Sequence, residues 1–419
     1  LGPEITRRSG GAKEGGAMDY QEYISFSVAG EIIFGNGALK HLPAILKEKL
    51  KVKRPLLVSD QGVAHAGHLD RVSADLKKAR IPFETFDKVE PEPSIDNVLS
   101  CSGRFGSKKF DSIIALGGGS VIDCAKAVSV LLKYGGDIKN YFGQENIPGE
   151  TLPLIAIPTT AGTGSEVSAG AILTDAKRNT KVGIRSNLLR PRIALLDPML
   201  TLSCPKSVTA SSGFDVLAHA VESYTMIDYN CMPKGTVIFY GTNPITEALA
   251  TAAIKMVAEY LRIAVHQLQN REAREKMMFA NILAGCAFSN SGVTHTHNIT
   301  YPVGAKTHAP HGVTLAALLP AVLEFNLPTR MEKLAHVAAL MGDKVDHLSV
   351  KDAAHKGIDA IRDLIRDIQL PSTLKDLGVT KKDLPVMAKK AMPVLESLPW
   401  NPRGITVDEL IEIYNRAYQ

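Results

Sequence analysis

The sequence predicts an α/β half followed by an all-α half, from three observations. Up to about Pro198, short apolar runs alternate with amphipathic stretches. Several of those runs are unbroken, as in Ile113-Ile114-Ala115-Leu116, the pattern of strands buried on both faces of a mostly parallel sheet. Beyond Pro198 the strand signals fade, and long amphipathic segments rich in Ala and Leu take over.

The elements follow in order. Leu1 to Ala17 is rich in Gly, Arg and Lys and lacks an apolar segment; it reads as a disordered tail or tag, with Met18 as the natural start. The α/β domain is expected over 18–198 and the helical domain over 199–419. Pro55 to Asp60 reads as a strand, Leu69 to Ala79 as a helix and Phe83 to Phe86 as a second strand. Ser94, with Asp96 behind it, opens a helix running to Lys108. Asp111 to Leu116 is a strand, Val121 to Tyr134 a helix, and Leu152 to Ile157 a strand closed by Pro158. In the second half the helical stretches are Ser211 to Met226, Ile245 to Gln269, Arg271 to Asn290, Gly312 to Asn326 and several more. Asp228 to Thr242, with Pro233, Gly235 and Gly241, interrupts that pattern as an inserted loop.

Composition narrows the function. A chain of 419 residues, 45% hydrophobic, has material for two buried cores. A net charge of +5 from scattered basic residues argues against a nucleic-acid partner. No apolar run approaches the roughly 20 residues that span a bilayer, so no membrane association is expected. Cys101, Cys124, Cys204, Cys231 and Cys286 stand far apart without CxxC spacing, as reduced thiols in a cytoplasmic protein do.

Two loops point to a nucleotide. Gly117-Gly118-Gly119-Ser120 follows a buried strand and opens a helix, where glycines admit a close ligand and exposed amides favour an anion such as a pyrophosphate. Ile122 stands at the last glycine position of GxGxxG, so this is not the standard fingerprint. Pro158 to Glu166, containing Thr159, Thr160 and Thr163, also follows a strand and is dense in hydroxyls. Asp60, just past the first strand, is placed to accept from a ribose diol, which favours NAD over NADP.

Asp215 and His219 lie four residues apart on a predicted helix and share a face. His297 and His311, near other helix ends, complete a set of one carboxylate and three imidazoles suited to iron(II), zinc or manganese.

These segments, with Phe34-Gly35-Asn36-Gly37-Ala38, Gly213 to Tyr224, Asn243-Pro244-Ile245 and Pro310-His311-Gly312, resemble the iron-containing (group III) alcohol dehydrogenases along nearly the whole chain. The resemblance implies an N-terminal dinucleotide-binding α/β domain, an all-α C-terminal domain and an active site in the cleft between them. It puts Asp215, His219, His297 and His311 on metal-ligand positions, with Fe2+ ahead of Zn2+. It puts Gly118, Gly119 and Ser120 on the pyrophosphate loop, Asp60 and Lys181 on ribose positions, and Thr159, Thr160 and Thr163 in the second cofactor loop. A homo-oligomer and a small alcohol or aldehyde substrate are implied too. One position departs: where many members carry a histidine ahead of a proline, this chain has Tyr301 before Pro302. Tyrosine is a poor base at neutral pH, so His295 and His308 join Tyr301 as expected proton-relay candidates. Tyr301 and the 228–242 insertion also resemble the hydroxyacid-oxoacid transhydrogenases, which make the alternative function. A lyase of the dehydroquinate-synthase type would need a basic pocket for a phosphorylated acid, and a non-catalytic NAD-binding protein would not need four intact ligands.

Overall fold

The computed structural model describes residues 20–178, 180–235, 238–398 and 400–419; the expected tail at 1–17 lies outside them. Its strands are β1 (Ile32–Phe34), β2 (Pro55–Val58), β3 (Glu84–Phe86), β4 (Ser112–Gly117), β5 (Gly143–Gln144), β6 (Leu154–Pro158), β7 (Gly170–Asp175), β8 (Thr180–Arg185) and β9 (Ile193–Leu196). Six of them form a parallel sheet in the order β1-β9-β6-β4-β2-β3. The helices on this half are α1 (Leu42–Ala44), α2 (Gln61–His65), α3 (His68–Lys78), α4 (Ile95–Phe105) and α5 (Gly119–Tyr134).

The unbroken apolar runs are explained by the two faces of this sheet. In β4, Ile113 and Ala115 pack among residues of α4 and α5, while Ile114 and Leu116 point the other way, to Leu39, Val72 and Leu76. Both faces are dry, so alternation disappears from the sequence. Ser94 caps α4 as expected, its side chain accepting from the Asn97 amide at 3.0 Å. The sequence pattern singled out neither β9 nor the β7–β8 hairpin. That hairpin pairs antiparallel and joins β5 in a separate small sheet.

From residue 206 onward the described elements are helical: α6 (Lys206–Thr225), α7 (Pro244–His266), α8 (Arg271–Ser291), α9 (His295–Thr307), α10 (His311–Leu340), α11 (Val350–Asp367), α12 (Leu384–Ser397) and α13 (Val407–Tyr418). They enclose two cores. One gathers α6, α7, α8 and α11; the other gathers α9, α12 and α13. α10 belongs to both, giving Leu315, Leu319 and Leu323 to the first and Leu318, Val322 and Phe325 to the second.

α10 bears on two expectations. It is long and apolar enough to cross a membrane, yet 78% of its apolar window is buried inside the protein, because a helix between two cores is apolar all round. It also runs on to Leu340 rather than ending at Asn326, passing Pro328 with a kink at Arg330 (φ −139°, ψ 26°). α9, with Pro302 inside it, was not foreseen as a helix.

The segment read as an inserted loop closes through a bridge between Asp228 and Thr242. Gly241 sits at φ +74°, and a Cβ there would lie 2.6 Å from the Ile227 carbonyl oxygen, so only glycine fits the return. Phe239 thereby meets Trp400 edge-on, ring centroids 5.1 Å apart.

Candidate active site

α6 sets Asp215, His219 and Glu222 along one face, at positions i, i+4 and i+7. His297 comes from the first turn of α9, and His311 is the first residue of α10. α10 starts this close to α6 because residue 312 has no side chain: a Cβ on Gly312 would stand 1.9 Å from the Ser211 carbonyl oxygen. Asp215 Oδ1 lies 3.4 Å from His219 Nδ1 and 3.5 Å from His297 Nε2. One donor atom from each of these three residues falls within 4.8 Å of the other two. The His311 ring flanks the trio, its centroid 5.2 Å from that of His297.

The same donor atoms are buried without a hydrogen-bond partner: Asp215 Oδ1, His219 Nδ1 and His297 Nε2. An orphaned buried polar atom costs about 1–3 kcal/mol, and three that face one point make a candidate ligand site. One carboxylate with imidazoles is the donor set for a divalent transition metal. Burial lowers His219 to about 3 and lowers His311, keeping both imidazoles neutral. Burial pushes Asp215 up, but the surrounding histidines outweigh it and hold the carboxyl below its ordinary value. Burial also works against a charged His297, yet Glu222 and Asp215 together raise it to about 10.

Glu222 was missed by the sequence reading. It is fully buried, accepts from Thr294 Oγ1 at 2.6 Å and takes His297 Nδ1 in a short contact. A carboxylate on the far nitrogen fixes the tautomer and aims the other nitrogen at the metal point. Its only signal in the sequence is its place on the Asp215–His219 face.

The glycine loop builds the opposite wall. A Cβ on Gly119 would lie 2.5 Å from Thr163 Cγ2, and one on Gly118 would lie 3.2 Å from Thr160 Oγ1. The two loops therefore interlock at the open N-terminus of α5. The hydroxyl-rich loop is in turn seated on the helical half. A Cβ on Gly162 would lie 2.8 Å from Ser212 Cβ, and Gly164, at φ +60°, faces Gly285 where a Cβ would lie 2.7 Å from Cα. Ser212 is three residues before Asp215, so the hydroxyl-rich loop and the Asp215–His219 corner are built on adjoining positions of α6.

One cavity of about 240 Å³ joins the two walls. Gly119, Ser120, Thr163 and Lys181 line it from one side; Asp215, His219, His297, His311 and Tyr301 line it from the other. Gly118, Thr159 and Thr160 are not part of that lining. Asp60 is not in it: its carboxylate caps α2, accepting from the Val63 amide at 2.8 Å. His308 is exposed in the left-handed turn that ends α9 (φ +54°), outside the cavity. His295 is buried beneath the wall with Nε2 unpartnered, and burial lowers it to about 4. Of the three proton-relay candidates, only Tyr301 faces the cavity, and burial pushes its phenol up. The sequence reading also missed Phe288, which stacks on His219 (centroids 4.0 Å apart), and the apolar rim of Phe239, Leu398 and Trp400.

Comparison with known proteins identifies the family. The model of the family described as iron-containing alcohol dehydrogenase matches residues 29–198, and that of the Fe-containing alcohol dehydrogenase family, C-terminal, matches 209–418. The chain is 36% identical to 1,3-propanediol dehydrogenase of Citrobacter freundii over 406 residues, covering 96% of this chain and 100% of that protein. It is 32% identical to the NAD-dependent methanol dehydrogenase of Bacillus methanolicus, covering 94% and 99%. Among solved structures, the alcohol dehydrogenase from Oenococcus oeni superposes with a TM-score of 0.88 at 34% identity, covering 94% and 100%.

Proposed function

The chain belongs to the iron-containing alcohol dehydrogenase family, an oxidoreductase family of metal-dependent alcohol dehydrogenases and aldehyde reductases, and we propose the residues and cofactors with which it works. Asp215, His219, His297 and His311 hold a divalent cation, Fe2+ before Zn2+. The main support is the three orphaned donor atoms facing one point in a cavity shared with the glycine loop. When bound, the cation supplies Lewis acidity to the substrate oxygen and the nicotinamide exchanges hydride.

The chain's own residues do the rest. Gly118, Gly119 and Ser120 present the amides at the start of α5 to a pyrophosphate. Thr159, Thr160 and Thr163 brace that turn, and Lys181 reaches toward the ribose. Glu222 steadies His297. Phe239, Leu398 and Trp400 keep water from the rim, and the Tyr301 hydroxyl, too weak a base to take the proton alone, gives its own proton to solvent water as it takes the alcohol's in its place. NAD rather than NADP is favoured by a curated relative named for NAD; Asp60, engaged as a helix cap, adds less than the sequence promised. The substrates are small alcohols and aldehydes, in keeping with relatives named for propanediol and methanol. A domain boundary near 198, a homo-oligomer and a cytoplasmic setting complete the reading.

Elemental analysis of the purified chain with an NAD-reduction screen over alcohols and diols tests it. Stoichiometric iron or zinc with NADH formation is expected; activity untouched after the metal is stripped would overturn it. The transhydrogenase reading draws on Tyr301 in the cavity wall and on the insertion that carries Phe239 to the rim. Hydride passing from a hydroxyacid to an oxoacid without free cofactor would replace the first reading with this one.

A further inference from the structure

β8 runs Lys181-Val182-Gly183-Ile184-Arg185. Its two-residue period sends Val182 and Ile184 into the core, while Lys181 and Arg185 both line the cavity. Gly183, between them, leaves room for the arginine to fold back: the Arg185 Cζ lies 3.3 Å from where a Cβ on Gly183 would stand.

Pairing off the ionic groups of the cavity leaves Arg185 over. Lys181 Nζ is 3.0 Å from Glu92 Oε2 and 3.0 Å from Thr174 Oγ1. Asp123 takes the Ser165 hydroxyl and the Ile172 amide, and it faces the buried Lys126 ammonium. Asp215 belongs to the metal corner. Among the described residues the Arg185 guanidinium has neither an ion pair nor a hydrogen bond, although it is half-buried in a shared cavity. β8 packs against α9, and there Arg185 opposes the upward push of burial on the Tyr301 phenol. Tyr301 is four residues beyond His297, roughly 6 Å along α9.

We propose that Arg185 anchors the carboxylate of the substrate, so that the alcohols and aldehydes turned over at the metal corner are short hydroxyacids and their semialdehydes. This rests on the oxidoreductase reading above. A guanidinium fork matches a carboxylate in geometry and charge, and the apolar rim strengthens the pair by excluding water. A cofactor phosphate is the other anion within the cavity, but the amides at the start of α5 already form its seat, and Arg185 stands on the α9 side.

The test compares NADH-dependent reduction of succinic semialdehyde and butyraldehyde by the metal-loaded enzyme, as the parent, Arg185→Met and Arg185→Lys. Losing the charged hydrogen bond is expected to lower the acid-to-neutral ratio of kcat/KM about ten- to a hundredfold in Arg185→Met, mainly through KM. Arg185→Lys should recover part of that ratio. An unchanged ratio overturns the proposal, and so does an unchanged ratio with a raised KM for NADH, which would assign Arg185 to the cofactor. If the parent reduces neither aldehyde, the oxidoreductase reading fails, and thermal shift with butyrate in the presence of NADH decides the anion seat separately. A rise in Tm for the parent that Arg185→Met lacks supports the seat; no rise in the parent overturns it.

Discussion

The protein buries two polar clusters side by side, and they are finished in opposite ways. Around Lys126, fully buried in α5, every charge has a partner: its ammonium donates to the carbonyls of Ser168 (2.9 Å) and Gly170 (2.8 Å) and to the hydroxyls of Ser165 and Ser168. Around Asp215, equally buried, three donor atoms have none. Completeness marks the first as a brace that ties α5 to the hydroxyl-rich loop and to β7. Incompleteness marks the second as a place kept for something else. Burial alone does not separate structure from function here; the satisfaction of the buried atoms does.

That contrast can be broken by substitution. The largest effect is expected from Asp215→Ala: loss of bound metal and a fall in turnover of about 10³-fold, the scale of several kcal/mol of Lewis-acid stabilisation. Metal-stripped Asp215→Ala should unfold in urea only slightly earlier than the metal-stripped parent, since Glu222 still holds His297 when the carboxylate is gone. Lys126→Met should do the reverse. It strands Asp123 and two carbonyls, costing about 3–5 kcal/mol in urea unfolding, while the folded fraction keeps its metal. If Lys126→Met lost metal and Asp215→Ala lost stability on that scale, the distinction between the clusters would be wrong.

A smaller effect sharpens the boundary of the brace. Glu166, beside it, is fully buried against Asn281, and burial raises its carboxyl to about 7. The folded chain therefore holds a proton there that the unfolded chain releases from the ordinary carboxylate range upward. Stability from this group is present at low pH and is lost as pH rises through about 7, by roughly 3 kcal/mol at most. Urea midpoints at about pH 5 and pH 8 should differ less in Glu166→Gln than in the parent; an equal difference would place the titration elsewhere.

The sequence showed the parts of the site whose chemistry is written in local spacing. Asp215 and His219 share a helical face, and the glycine turn follows a strand whose burial its own residues reveal. What stayed hidden depends on contacts between distant segments. Glu222 reads as one more acid on a helix until Thr294 and His297 arrive from α9. Phe239 reads as loop until Trp400 meets it. The strand carrying Arg185 is half-exposed, with Gly183 near its middle, and gave no strand signal. Asp60 and His308 stand outside the cavity lining for one common reason: spacing puts a residue near a turn, but the backbone angle at the turn decides where its side chain goes.

α10 begins at His311, the fourth of the proposed metal ligands, and then threads both helical cores. Its first residue therefore inherits the rigidity of two packed interiors at once, and Gly312 presses that rigid end against the backbone of α6. The histidine at its tip acts as a fixed post, against which residues on more yielding segments must adjust.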